Sequence, residues 1–157
     1  VRRIWIAAAA LLLGGCGIAE SGVSDEGPAP TGVAPGTTLY FVDGDGELRA
    51  TLRDTGRLGT IGEAMALLLW GPGDSGLDTG IAVVSSSKVE VTVGEQEIEL
   101  RVPLSAEEVS PLGVDQIVCT ALAAHVQSGG SPEATVRIHF TLGEPGSDAP
   151  RTCPLIG

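Results

Sequence analysis

The chain predicts an α+β fold, a mainly antiparallel sheet with two helices packed on one face, in the order ββαββαβ. Three observations carry this. Two segments repeat apolar residues at helical spacing: Ile61, Ala64, Met65, Leu68 and Leu69, then Val114, Ile117, Val118, Ala121 and Leu122. Other segments alternate apolar with polar residues, at Val89, Val91 and Val93, at Ile98, Leu100 and Val102, and at Val136, Ile138, Phe140 and Leu142. Hairpins interleaved with two helices favour helices gathered on one side of an antiparallel sheet.

Taken in order, Leu39-Tyr40-Phe41-Val42 reads as a short buried strand, Asp43-Gly44-Asp45-Gly46 as a hairpin turn, and residues 47–53 as the returning strand. Thr60, three residues before Glu63, forms a capping box that opens the first helix. Gly71-Pro72 closes it, since Gly tolerates the helix stop and Pro cannot continue the turn. Residues 73–86 are a Gly/Asp/Ser-rich connection with a short apolar piece at 81–84. Gly94-Glu95 suits a two-residue type II′ turn between the two central alternating strands, with Gly supplying positive φ at its first position. Pro111 starts the second helix, Ser128-Gly129-Gly130 stops it, and the segment around Val136 to Leu142 is the last strand.

Residues 1–15 read as an address. Arg2 and Arg3 precede an apolar run at 4–13, followed by Gly14-Gly15-Cys16. A positive start, an apolar stretch and small residues predict a secretory signal. The run is too short for a membrane-spanning helix, which takes about 20 apolar residues. Leu13-Gly14-Gly15-Cys16 resembles a bacterial lipobox, in which the Cys sulfur takes a diacylglyceryl group and the chain is cut just before it. Small residues let the peptidase approach the backbone, and the thiol is the acceptor. An ordinary signal peptide with an incidental Cys is the alternative. The expectation is lipidation at Cys16, with two acyl chains holding the protein on the extracytoplasmic face of the cell membrane.

Residues 16–36 then form the lipidated Cys and a flexible tether, with glycines at 17, 22, 27, 32 and 36, prolines at 28, 30 and 35, and no aromatic residue. A coil of that composition reaches on the order of 25 Å. Residues 37–157 remain as one folded domain.

The 157 residues carry a formal charge of −11. Without the first 15, 7 basic residues face 20 acidic ones, a charge of −13. Such a globule is repelled by anionic headgroups and held off the bilayer. With no Lys/Arg cluster it does not suit nucleic acid, whose affinity rests on phosphate neutralisation. Only 3% of residues are aromatic, which argues against a partner that needs an aromatic platform.

The strand Leu39-Tyr40-Phe41-Val42, the helix end Leu68-Leu69-Trp70-Gly71-Pro72, the segment Gly76-Leu77-Asp78-Thr79-Gly80-Ile81 and the run Asp115-Gln116-Ile117-Val118-Cys119-Thr120-Ala121-Leu122 together resemble the spore-germination and sporulation domain called GerMN, over roughly residues 37–142. The resemblance implies a bacterial cell-surface lipoprotein domain with no established enzymatic activity or cofactor. In high-GC Gram-positive bacteria, similar domains occur in lipoproteins associated with sensor kinases. Cys119 departs from the pattern, which usually has an aromatic or apolar residue there.

With Cys16 assigned to lipidation, Cys119 and Cys153 form an even pair that reads as one disulfide, stapling an irregular tail to the second helix. Two free thiols are the alternative. Metal binding there lacks a completing pair or His. Asp43, Asp45 and Glu47 place three carboxylates at alternate positions. They read as a solvated hairpin turn, with a calcium loop as the alternative that lacks the distal bidentate Glu. His125 and His139 read as structural, and Ser85, Ser86 and Ser87 have no nucleophile-elbow context. Glu95, Glu97 and Glu99 read as a solvated strand face, with a cation or basic partner as the alternative. The functional expectation is a non-catalytic lipoprotein domain that binds an envelope protein, sensor kinase or other envelope partner and needs no cofactor. The alternatives are a peptidoglycan-related enzyme using paired carboxylates, and a small-ligand or calcium sensor.

Overall fold

A computed structural model describes residues 36–144, 146 and 148–156. The signal segment, the lipobox with Cys16 and the tether up to residue 35 lie outside them. The α+β class and the order ββαββαβ stand: β1 (Gly36–Val42), β2 (Leu48–Asp54), α1 (Ile61–Leu69), β3 (Glu90–Val93), β4 (Glu97–Val102), α2 (Pro111–Gln127) and β5 (Thr135–Phe140). Gly36, read as the last tether residue, opens β1, where a side chain would press on the Arg53 carbonyl oxygen at 2.6 Å.

The strands form two sheets. β1 and β2 are an antiparallel hairpin. The second sheet has the order β3-β4-β5, with β3–β4 antiparallel and β4–β5 parallel. The parallel pair follows from connectivity, because α2 carries the chain from β4 back to the start of β5. β1 is closed to a further strand because its outer edge is already satisfied. Val42 exchanges both backbone bonds with Asp78 (2.9 and 2.7 Å), Tyr40 N–H donates to Thr120 Oγ1 (3.0 Å), and Gln116 Nε2 donates to the Tyr40 carbonyl (3.0 Å).

Both helices pack on each other and on β1, and they reach the second sheet through α1 on β3 and α2 on β5. Leu39, Phe41, Met65, Leu68, Ile98, Leu100, Ile117 and Leu122 are the large side chains of this core. α1 starts as its sequence dictates: Thr60 Oγ1 accepts from Glu63 N–H (3.2 Å) and the Glu63 carboxylate accepts from Thr60 N–H (2.8 Å). It ends where Gly71 turns to φ +92°. α2 is capped by Ser110, whose hydroxyl accepts from Gly113 N–H (3.1 Å), with Pro111 in its first turn.

Two sequence expectations shift. Gly94 does not adopt positive φ, nor does any described non-glycine residue, so the β3–β4 turn is not type II′. Gly94 N–H donates to the Glu97 carbonyl (2.8 Å) and Val93 faces Ile98, which leaves Glu95 and Gln96 at the apex. The last strand stops at Phe140 rather than running to Leu142. Thr141 and Leu142 instead donate to the Val102 and Leu104 carbonyls, and Gly143 then turns away at φ +71°.

Candidate functional site

Three of the sequence segments singled out above, β1, residues 76–81 and the 115–122 run of α2, meet at one buried node. Gln116 is fully buried, and its Oε1 accepts Gly80 N–H (2.6 Å) and the Thr79 hydroxyl (3.4 Å) while its Nε2 holds Tyr40. Thr120, one turn on, serves the same strand edge. Gly80 and Gly113 touch backbone to backbone, so closely that a Cβ at Gly80 would sit 2.6 Å from Gly113 N. These residues fasten β1, the 76–81 segment and α2 together, and each polar group in the node has a protein partner. The spacing of Gln116 and Thr120 thus encodes packing.

The sequence-nominated side chains are dispersed. Asp43 organises its turn. Its Oδ1 accepts from the N–H groups of Asp45 (3.0 Å) and Glu47 (3.1 Å), and its Oδ2 pairs with Arg49 (2.9 Å). The Glu47 N–H bond first, then Arg49, holds the Asp43 carboxyl below its ordinary range. Among the described residues no group of three or more His, Cys, Asp or Glu side chains is placed to hold a metal ion. On the outer face of the second sheet, Glu97 takes Arg137 in a two-pronged pair (3.0 and 2.9 Å) and Glu90 lies 3.4 Å from Arg101. Arg137 accordingly lowers the Glu97 carboxyl. The acidic run is therefore partly neutralised by cross-strand arginines.

His125 lies near the end of α2, its ring over Gly130, where any side chain would collide with it. His139 faces Arg101 across the β4–β5 pair. Neither histidine lines the groove beside Ser85, Ser86 and Ser87. Ser87 instead accepts the Trp70 indole N–H at 3.0 Å. Cys119 and Cys153 are joined in a disulfide with their Cα atoms 4.8 Å apart, both buried.

A cleft of about 340 Å³, which sequence reasoning did not nominate, lies beside α1. Its floor includes Ala66 and Leu67 of α1 and Thr37 of β1. Along one side Arg57 and Glu63 form a forked ion pair, with Arg57 Nη1 donating to Glu63 Oε2 at 3.1 Å and Nη2 to Oε1. Over the other side stands Trp70, 80% exposed. Helical phase was the available signal. Ile61, Ala64, Met65, Leu68 and Leu69 form the buried stripe, and Trp70 falls with Glu63, Ala66 and Leu67 on the opposite face. Thr37 is 1% exposed, and its Oγ1 has no hydrogen-bond partner among the described residues.

No family model, curated protein or solved structure matches this chain.

Proposed function

We propose that this protein is a lipoprotein, anchored through Cys16 to the extracytoplasmic face of the cell membrane, whose GerMN-like domain binds an envelope or protein partner without catalysing a reaction. What carries the binding reading is the contrast between its carboxylates and Trp70, the exposed indole among the described residues. General acid chemistry near neutral pH needs a carboxyl whose pKa is raised toward 6 or 7. Asp43, Glu63, Glu97 and Glu108 are all shifted the other way, each held ionised by hydrogen bonds from arginine or backbone N–H groups. Trp70, by contrast, is uncovered beside a cleft, with its N–H donating to Ser87, and exposed indoles of this kind are enriched in recognition sites.

The test is fractionation of cells expressing the native chain and Cys16→Ser, with mass spectrometry of the purified native protein. The native form should partition with membranes and begin at an acylated Cys16, and the variant should be released. Unmodified Cys16 would overturn the anchor. Failure of the purified variant to show saturable binding when added back to isolated wall or membrane fractions would overturn the binding role.

A further inference from the structure

We propose that the cleft beside α1 is a saccharide subsite, and that it takes an N-acetylated pyranose ring of an envelope glycan with Trp70 as the stacking platform. The inference rests on the surface location proposed above and names the ligand class for the same domain.

Three features select this ligand. First, among the described residues Trp70 is the aromatic side chain that folding leaves outside, whereas Tyr40 and Phe41 are buried and Phe140 is half-buried. Its N–H donates to Ser87, so the polar edge of the ring is engaged and its exposed face is left for the C–H surface of a sugar. One placed ring is enough for one stacked sugar, which is why a low aromatic count does not exclude this site. Second, the charges of the cleft cancel. Arg57 and Glu63 are its two charged lining residues, and they are paired with each other. On a domain with such an acid excess, a neutral patch neither attracts a basic peptide nor repels an uncharged polymer. The planar guanidinium and carboxylate still present donors and acceptors along their outer edges to equatorial hydroxyls. Third, Ala66 and Leu67 offer apolar lining for an acetamido methyl. The cleft volume is at the small end of the ~300–1,000 Å³ typical of small-ligand sites, suited to a short stretch of glycan.

The experiment uses the full chain carrying Trp5→Phe, which leaves Trp70 as the only indole. Titration with chitotetraose should give a saturable change in Trp70 emission, with the same midpoint by calorimetry. Calorimetry with Trp70→Ala should show binding at least tenfold weaker at unchanged melting temperature, and Arg57→Ala, which also gives up the Glu63 ion pair, should bind at least tenfold more weakly while still unfolding cooperatively above the assay temperature; Leu155→Ala, in the tail, binds as the parent does. Cellotetraose, which lacks the acetamido groups, should bind at least fivefold more weakly. No saturable response up to ~10 mM, well beyond a site of about 1 mM Kd, overturns the proposal. So does equal binding by Trp70→Ala, and equal affinity for cellotetraose removes the acetamido assignment. These results are independent of acylation at Cys16, so a failure here is separable from a failure of the anchor.

Discussion

Glu63 serves several partners at once. Its carboxylate closes the capping box by accepting from Thr60 N–H, and it holds the Arg57 guanidinium at the rim of the cleft. Arg57 first, then the Thr60 N–H, pull its pKa from the ordinary 4.5 to about 2. A carboxyl lowered on folding contributes stability that is complete above its unfolded pKa and disappears as the proton returns. The contribution of Glu63 is therefore full above about pH 4.5 and is lost as pH falls toward about 2. Carboxyl NMR should place the Glu63 midpoint near the lower figure, and Arg57→Ala should move it upward toward the ordinary range. A midpoint that ignores Arg57→Ala would show that the ion pair does not form in solution. The capping box was legible in the sequence, because Thr60 and Glu63 stand three residues apart ahead of an apolar stripe. The Arg57 partnership was not, since it depends on how the loop after β2 folds back over α1.

At the scale of elements, strands and helices were legible wherever one face is buried and the other wet. β4 shows this best, with Ile98, Leu100 and Val102 inside and Glu97, Glu99 and Arg101 alternating outside. Partnership was harder to read. β3 has the same alternation as β4, yet Val93 is 53% exposed because β3 is a short edge strand. Alternation reports a face and says nothing of how completely that face is covered. The division into two sheets was also silent, because it depends on Gln116 and Thr120 capping the β1 edge. The Gly80–Gly113 contact belongs to that same junction and gives a prediction opposite to propensity. Ala is favoured over Gly in a helix by about 1 kcal/mol, yet a Cβ on Gly113 would meet the Gly80 carbonyl group and approach Val109 Cγ1 at 2.9 Å. Ser110 N–H also donates to that Gly80 carbonyl (2.8 Å), so the segment cannot retreat without losing a bond. Gly113→Ala should thus destabilise by about 2 kcal/mol, the cost of overpacking. Urea unfolding checks it, and a stabilised variant would mean the 76–81 segment yields freely.

For the molecule as a whole, the tail after β5 decides whether the second sheet has a protected flank. β5 is an edge strand, and unpaired edges invite pairing with other chains. Here the tail crosses that edge. Val136 and Arg151 exchange both backbone bonds (2.8 and 2.9 Å), and Arg137 Nη1 donates to the Asp148 carbonyl (2.7 Å). Residues 148–152 are all exposed and bury no apolar side chain, so beyond those hydrogen bonds the tail is held by Cys153, locked to Cys119 of α2, and by Ile156 packed on the core. The two cysteines were legible as a pair by count once Cys16 was set aside, whereas the strand edge they protect was not, because an irregular tail carries no periodicity. The bridge spans 34 residues, for which loop closure alone gives roughly 4 kcal/mol. That is a large share of a small domain's usual 5–15 kcal/mol. We expect Cys153→Ser, or reduction of the native protein, to lower unfolding stability by about that amount. Limited proteolysis should then cut the tail after Leu142 while the rest of the domain survives, and the β5 amides should lose hydrogen-exchange protection. The proteolysis result separates the two roles of the bridge. A chain that loses stability but keeps its tail docked would show that the disulfide acts only on the unfolded state, and that the backbone pairing at Val136 and Arg151 holds the edge by itself.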